Sequence, residues 1–124
     1  MTFEEQFAHG VELFNNKEFF DCHDEWEELW QEERSERRLF LQGMIQAAVG
    51  SYHLTNGNTT GAISQYTKSL DKLRQYAPDY FDIDLEGLRS ELERCLDGAL
   101  TMQSQNAKYE VAGEYFPIIK SISN

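Results

Sequence analysis

Leu39-Phe40-Leu41-Gln42-Gly43-Met44-Ile45-Gln46-Ala47-Ala48-Val49-Gly50-Ser51-Tyr52-His53-Leu54 is the most apolar run in the chain. At helical spacing, Leu41, Ile45, Ala48 and Tyr52 form one stripe, and Gln42, Gln46, Val49 and His53 form the next. Gly43, Ala47 and Gly50 make a third stripe of small residues, on which another helix can approach closely. A helix apolar around most of its girth belongs at the centre of a bundle, with neighbours on several sides. Its polar residues and short length make it a poor membrane span. The run therefore predicts a central helix over about 36–56, stopped by Asn56-Gly57-Asn58.

Outward from that helix, the same period recurs. A first segment over about 2–15 carries Phe3, Phe7, Val11 and Phe14 on one face, and Asn15-Asn16-Lys17 is a plausible break through the left-handed tolerance of Asn. A second covers about 18–33. A fourth, about 59–77, reads through Ala62, Ile63, Tyr66, Leu70, Leu73 and Ala77, with Asn58 or Thr59 as cap and Pro78 closing it. A fifth, about 84–104, runs through Leu85, Leu88, Leu92, Leu96, Ala99 and Leu100 behind Asp82 or Asp84. No segment shows sustained strand alternation. The expected fold is all-α, a compact bundle of about five helices in antiparallel hairpins. Residues 1–104 form one domain in this reading. Residues 105–124 form an irregular C-terminal segment whose Tyr115-Phe116-Pro117-Ile118-Ile119 cluster is too apolar for a free tail, and so packs on the bundle or on a partner subunit, the route to a homo-oligomer.

Length and charge narrow the function. A chain of 124 residues with 40% hydrophobic and 13% aromatic content supports one globular domain. Its 22 acidic against 11 basic residues leave a net charge of −11. Such a chain repels phosphate backbones and anionic bilayers, so no nucleic acid and no membrane is expected as partner. Cys22 and Cys95 form no paired motif, and without a secretory signal they read as reduced core thiols of a cytoplasmic protein.

The candidate chemistry sits in Phe19-Phe20-Asp21-Cys22-His23-Asp24-Glu25-Trp26-Glu27-Glu28-Leu29-Trp30. Phe19, His23, Trp26 and Trp30 fall on one stripe with Glu27 at its edge. His23 and Glu27 are one turn apart and can meet. If the second and third helices pack antiparallel, His23 and Glu27 face Gln42, Gln46 and His53. The candidate ligand-binding residues are therefore His23, Trp26, Glu27, Trp30, Gln42, Gln46 and His53. Three readings stay open at this level. His23, Glu27 and His53 suit a divalent transition metal such as zinc, manganese or iron. A histidine supported by Glu27 can serve as acid or base toward a small ligand. A buried hydrogen-bond network that binds nothing uses the same residues. The reaction, if there is one, is unassigned.

Elsewhere, Asp21, Asp24, Glu25, Glu27, Glu28, Glu32 and Glu33 read as a solvated acidic face, and His9 as a surface residue. Arg34, Arg37 and Arg38 pair with the acidic end of the second helix or mark an anion site. The stretch ending in Tyr66, Leu70, Leu73, Tyr76, Ala77 and Pro78 has the flavour of a tetratricopeptide hairpin, but the turns lie about 40 residues apart where that repeat has 34. A helical-hairpin module binding a protein partner, through Tyr66, Tyr76, Tyr80 and Phe81 or through the C-terminal cluster, is the alternative function.

The blocks Phe14-Asn15, Glu18-Phe19-Phe20 and His23 to Trp30, then Phe40 to Ala48, then His53-Leu54 with Gly57-Asn58 and Ala62, occur in the order of a known pattern. Over about residues 11–92 the chain resembles the bacterial, archaeal and plastid family catalogued as domain of unknown function 309. The resemblance implies a small all-α bundle of antiparallel hairpins and no assigned activity. The family's histidine-plus-acid pair usually reads His-Glu, whereas Asp24 follows His23 here; the stretch beyond Gln105 is not part of the shared pattern.

Overall fold

The computed structural model describes residues 1–105 and 116–122; Tyr115, part of the expected C-terminal cluster, lies outside them. The helices are α1 (Phe3–Asn15), α2 (Phe19–Glu32), α3 (Arg37–Thr55), α4 (Thr59–Leu73) and α5 (Leu85–Ser104). Each packs on the one before it. The pairings run antiparallel: along α1 and α2, Gln6 bonds Glu28 and Phe14 meets Phe19. Along α3 and α4, Gly43 faces Leu73, Gly50 faces Tyr66 and His53 faces Gly61. The fold is an all-α bundle of hairpins. Among the described residues no helix is long and apolar enough to cross a membrane.

Local chemistry fixes the helix ends. Thr2 and Glu5 form a reciprocal capping box on α1. Asn58 and Asp84 cap α4 and α5 by accepting from Gly61 N and Gly87 N, each at 2.9 Å. The break after α1 differs in detail from the expectation: the left-handed residue is Lys17 at φ 64, not an asparagine. Asn15 is used elsewhere. Its amide exchanges two hydrogen bonds with the backbone of Ile119, both 2.8 Å.

The seam between α3 and α4 follows from the small-residue stripe. A Cβ on Gly50 would lie 2.8 Å from the Tyr66 ring, and one on Gly43 would lie 2.9 Å from Leu73. Glycine there lets the backbones close up until Ser69 Oγ donates to Gly43 O at 2.7 Å and Ser51 Oγ meets Tyr66 Oη at 2.8 Å. Both serines are buried, and these bonds satisfy them.

α4 stops at Leu73, short of the expected 77, and Ala77 is exposed. Arg89 of α5 donates to the freed carbonyls of Leu73 and Tyr76 at 2.8 and 3.0 Å. A small antiparallel hairpin follows, β1 (Asp79–Tyr80) and β2 (Ile83–Asp84), with Tyr80 opposite Ile83. Its turn residues Phe81 and Asp82 both have positive φ, 55 and 62. Two-residue hairpin turns of this kind favour Asn-Gly, so the sequence gives no local signal for it. Phe81 is held there by its ring, 5.1 to 5.9 Å from those of Phe3, Phe7 and Phe40. Of the C-terminal segment, Phe116 and Ile119 are buried, with Phe116 5.4 Å from the Phe19 ring. Asp84 N donates to Lys120 O at 2.8 Å and Ile122 N to Asp82 O at 3.1 Å, so residues 120–122 extend the edge of β2.

Candidate functional site

α2 has two working faces. Phe19, Cys22 and Trp26 are buried toward α1 and the core. His23, Glu27 and Trp30, one step further round the helix, are partly exposed toward α3. The single stripe expected from the sequence is thus split, because it is broad enough to span two neighbours. Trp26 falls on the wrong side of that split for a ligand contact. It is fully buried, its indole N–H donates to Phe7 O at 3.2 Å, and its ring packs on Phe7 at 5.5 Å. Gly10 makes this possible, since any Cβ there would collide with the indole.

Between α2 and α3 lie two adjoining depressions that share His23. One, about 180 Å³, is lined by His23, Glu27, Trp30, Gln42, Ile45 and Gln46. The other, about 200 Å³, is lined by Phe19, Phe20, His23, Val49, Tyr52 and His53. The structure therefore gathers His23, Glu27, Trp30, Gln42 and Gln46 in a polar half and sets His53 with His23 in an apolar half. Trp26 lines neither.

Within the polar half, His23 Nε2 lies 2.8 Å from Glu27 Oε2, and Nδ1 lies 3.3 Å from Asp24 Oδ1. The ring is thus flanked by a carboxylate at each nitrogen. Gln46 Oε1 is buried and accepts no hydrogen bond among the described residues. A buried acceptor without a donor is destabilising, and a ligand N–H or O–H removes that deficit. His53 accepts from the Asn58 amide at 3.4 Å through Nδ1 and rests on Gly61. The group with metal-binding spacing among the described residues is His23, Asp24 and Glu27, whose ligand-type atoms lie within 4.8 Å of one another. Asp24 takes the place in it that was expected of His53.

Several neighbours were not legible as part of the site. The guanidinium of Arg38 covers Trp30 at 3.9 Å and donates to the carbonyls of Trp30 and Glu33, both at 3.3 Å. Arg37 pairs with Glu33 at 2.9 Å, and Arg34 donates to Gln31 O at 2.8 Å. The arginine cluster thus closes the C-terminus of α2, where cations are favoured. Hydrogen bonds from Ser35, with help from Arg37, hold the Glu33 carboxyl below the usual carboxylate range. Phe20, 55% exposed, forms the outer lip with Tyr52, their rings 5.6 Å apart.

Other expectations meet the structure as follows. His9 keeps 43% of its side chain exposed at the surface of α1, with Nδ1 turned to Glu25 Oε1 at 3.6 Å. Tyr66 is in the core, Tyr76 donates to Glu36 O at 2.8 Å, Tyr80 meets the Phe40 ring edge-on and Phe81 stacks on it, so the four rings do not share one exposed groove. Both cysteines are buried and unpaired. Burial, reinforced by Glu25, pushes the Cys22 thiol far above its ordinary value, and burial pushes Cys95 up to about 12. Neither is a poised nucleophile.

The model of the family described as domain of unknown function (DUF309) matches residues 7–65, from α1 into α4. Residues 7–65 are thus similar to a DUF309 domain. The polar and apolar halves of the cleft fall inside that match, while α5, the hairpin and the C-terminal segment fall outside it. Over 116 residues the chain is 31% identical to "Uncharacterized protein YpuF" of Bacillus subtilis (strain 168). That alignment covers 92% of this chain and 62% of the relative's own length.

Proposed function

We propose that this chain binds a small organic ligand in the cleft between α2 and α3. The observation that carries the reading is the shared position of His23. It joins an apolar depression to a polar one, where Glu27 orients its ring and Gln46 offers an unused acceptor. In that role Glu27 selects the imidazole tautomer, and His23 hydrogen-bonds to the ligand or exchanges a proton with it. Gln42 and Gln46 supply the remaining polar contacts, and Trp30, Phe20 and Tyr52 supply apolar walls.

A fragment screen followed by NMR tests this directly. Hits are expected to move the His23 ring and Trp30 indole resonances, and to weaken in His23→Gln and Glu27→Gln. A ligand at about 100 times its Kd adds about 2.7 kcal/mol of stability, visible as a higher Tm. Hits that leave both resonances in place remove the reading.

A divalent transition metal is the second reading, supported by the close grouping of His23, Asp24 and Glu27. Calorimetry with zinc is then expected to give saturable binding that His23→Gln and Asp24→Asn abolish and His53→Ala leaves intact. The exposed pair Phe20 and Tyr52 supports a third use of the same lip, as the contact surface of a protein-binding hairpin module. Buried free thiols and the acidic charge support a cytoplasmic protein that does not engage nucleic acid.

A further inference from the structure

A second site lies away from that cleft. A cavity of about 450 Å³ opens between α1 and the β-hairpin. Phe7, Val11, Phe81 and Ile83 give it apolar walls, and Glu4 and Asp82 add carboxylates. Among the described residues no lysine, arginine or histidine lines it. Its size and lining are those of small-molecule sites, which span about 300–1,000 Å³ and are mostly apolar with a few polar groups.

The backbone of its wall is an independent pointer. Phe81 and Asp82 are consecutive residues in the left-handed region, where a side chain as bulky as Phe is an outlier. Strained backbone persists only where its surroundings over-determine it, and it clusters at ligand sites. Here the surroundings are the rings of Phe3 and Phe7 around Phe81, and the strand-like residues 120–122 bonded to Asp82. The strained turn brings the Phe81 ring and Asp82 to the edge of one cavity.

We propose that this cavity binds a small hydrophobic amine, its ring on the apolar walls and its ammonium toward Glu4 and Asp82. An all-carboxylate charge set selects a cation over an anion of the same shape. At a partly screened site this amounts to at least about tenfold in affinity.

Tryptamine, tryptophol and indole-3-propionate share one ring and differ in head group, so they separate charge from shape. Titrated into the full isotope-labelled chain, tryptamine is expected to shift the amides of Ala8, Val11 and Ile83 saturably. It should bind at least about tenfold tighter than indole-3-propionate. Ala8→Phe, at an exposed α1 position in the lining, should block binding while thermal unfolding stays cooperative. Asp82→Asn combined with Glu4→Gln should erase the preference for the cation, since Asn also tolerates the left-handed turn. The inference is overturned by equal affinity for the anion, by an unchanged preference in the double variant, or by no saturable binding. Shifts confined to His23 and Trp30 also overturn it. Because the two sites are read at separate resonances, failure here leaves the α2–α3 cleft reading standing.

Discussion

Trp26 and Trp30 stand one turn apart on α2, yet Trp26 is sealed between α1 and the core while Trp30 borders an open cleft. Trp26 gives its N–H to a helix carbonyl and is wedged over Gly10. Trp30 is roofed by Arg38 and faces a polar depression. A step of four residues turns a helix by about 40°, which is enough to pass from one neighbouring helix to the next. The difference teaches that α2 divides its labour. One face carries stability, and the adjacent face brings His23, Glu27 and Trp30 to an open cleft.

Substitutions can break that division or sharpen it. Trp26→Ala should cost about 3–5 kcal/mol in urea unfolding, the loss of a large core side chain and its hydrogen bond. Gly10→Ala should cost about 1–3 kcal/mol by overpacking the indole, and Trp26→Phe should relieve part of that in the double variant. Trp30→Ala should cost only about 1–2 kcal/mol, from partial burial and the Arg38 contact. Equal losses at the two tryptophans would erase the distinction. His23→Gln should change stability by about 0.5 kcal/mol or less, because its ion pairs are partly exposed, while weakening any cleft ligand.

The sealed face also predicts a pH dependence. Thiol values raised at Cys22 and Cys95, and phenol values raised chiefly by burial at Tyr76 and Tyr80, mean that the folded chain keeps protons the unfolded chain releases. That stability is full below the unfolded values and is lost as pH rises past them. The urea midpoint should therefore fall from neutral pH to about pH 10, and Cys22 should react with a thiol reagent only on unfolding. At the acid end Glu33 contributes in the opposite sense. Its depressed value adds stability at neutral pH that is lost as pH falls through it.

Much of this architecture is legible in the residues. The glycine-rich stripe of α3 anticipates the close approach of α4, and the placement of His23, Glu27, Gln42 and Gln46 in one niche follows from period once α2 and α3 pack antiparallel. Period cannot say which flank of a broad apolar stripe meets which neighbour, so Trp26 is grouped with His23 when it belongs to α1. The hairpin is invisible because Phe81-Asp82 carries neither glycine nor asparagine, and its turn depends on rings from distant helices. The charge of the arginine cluster anticipates its closing the end of α2, but the seat of Arg38 on the Trp30 ring is hidden, since it depends on which flank of α2 the ring occupies.

The reciprocal bonds between Asn15 and Ile119 join points 104 residues apart. Contacts of such long range form after local ones, because the loop must close before they give any return. During synthesis the helices therefore precede residues 119–122, and for that interval the edge of β2 is bare. An unpaired edge accepts any strand of suitable sequence. A crowded population of nascent chains would thus be open to trading residues 119–122, a route to swapped dimers.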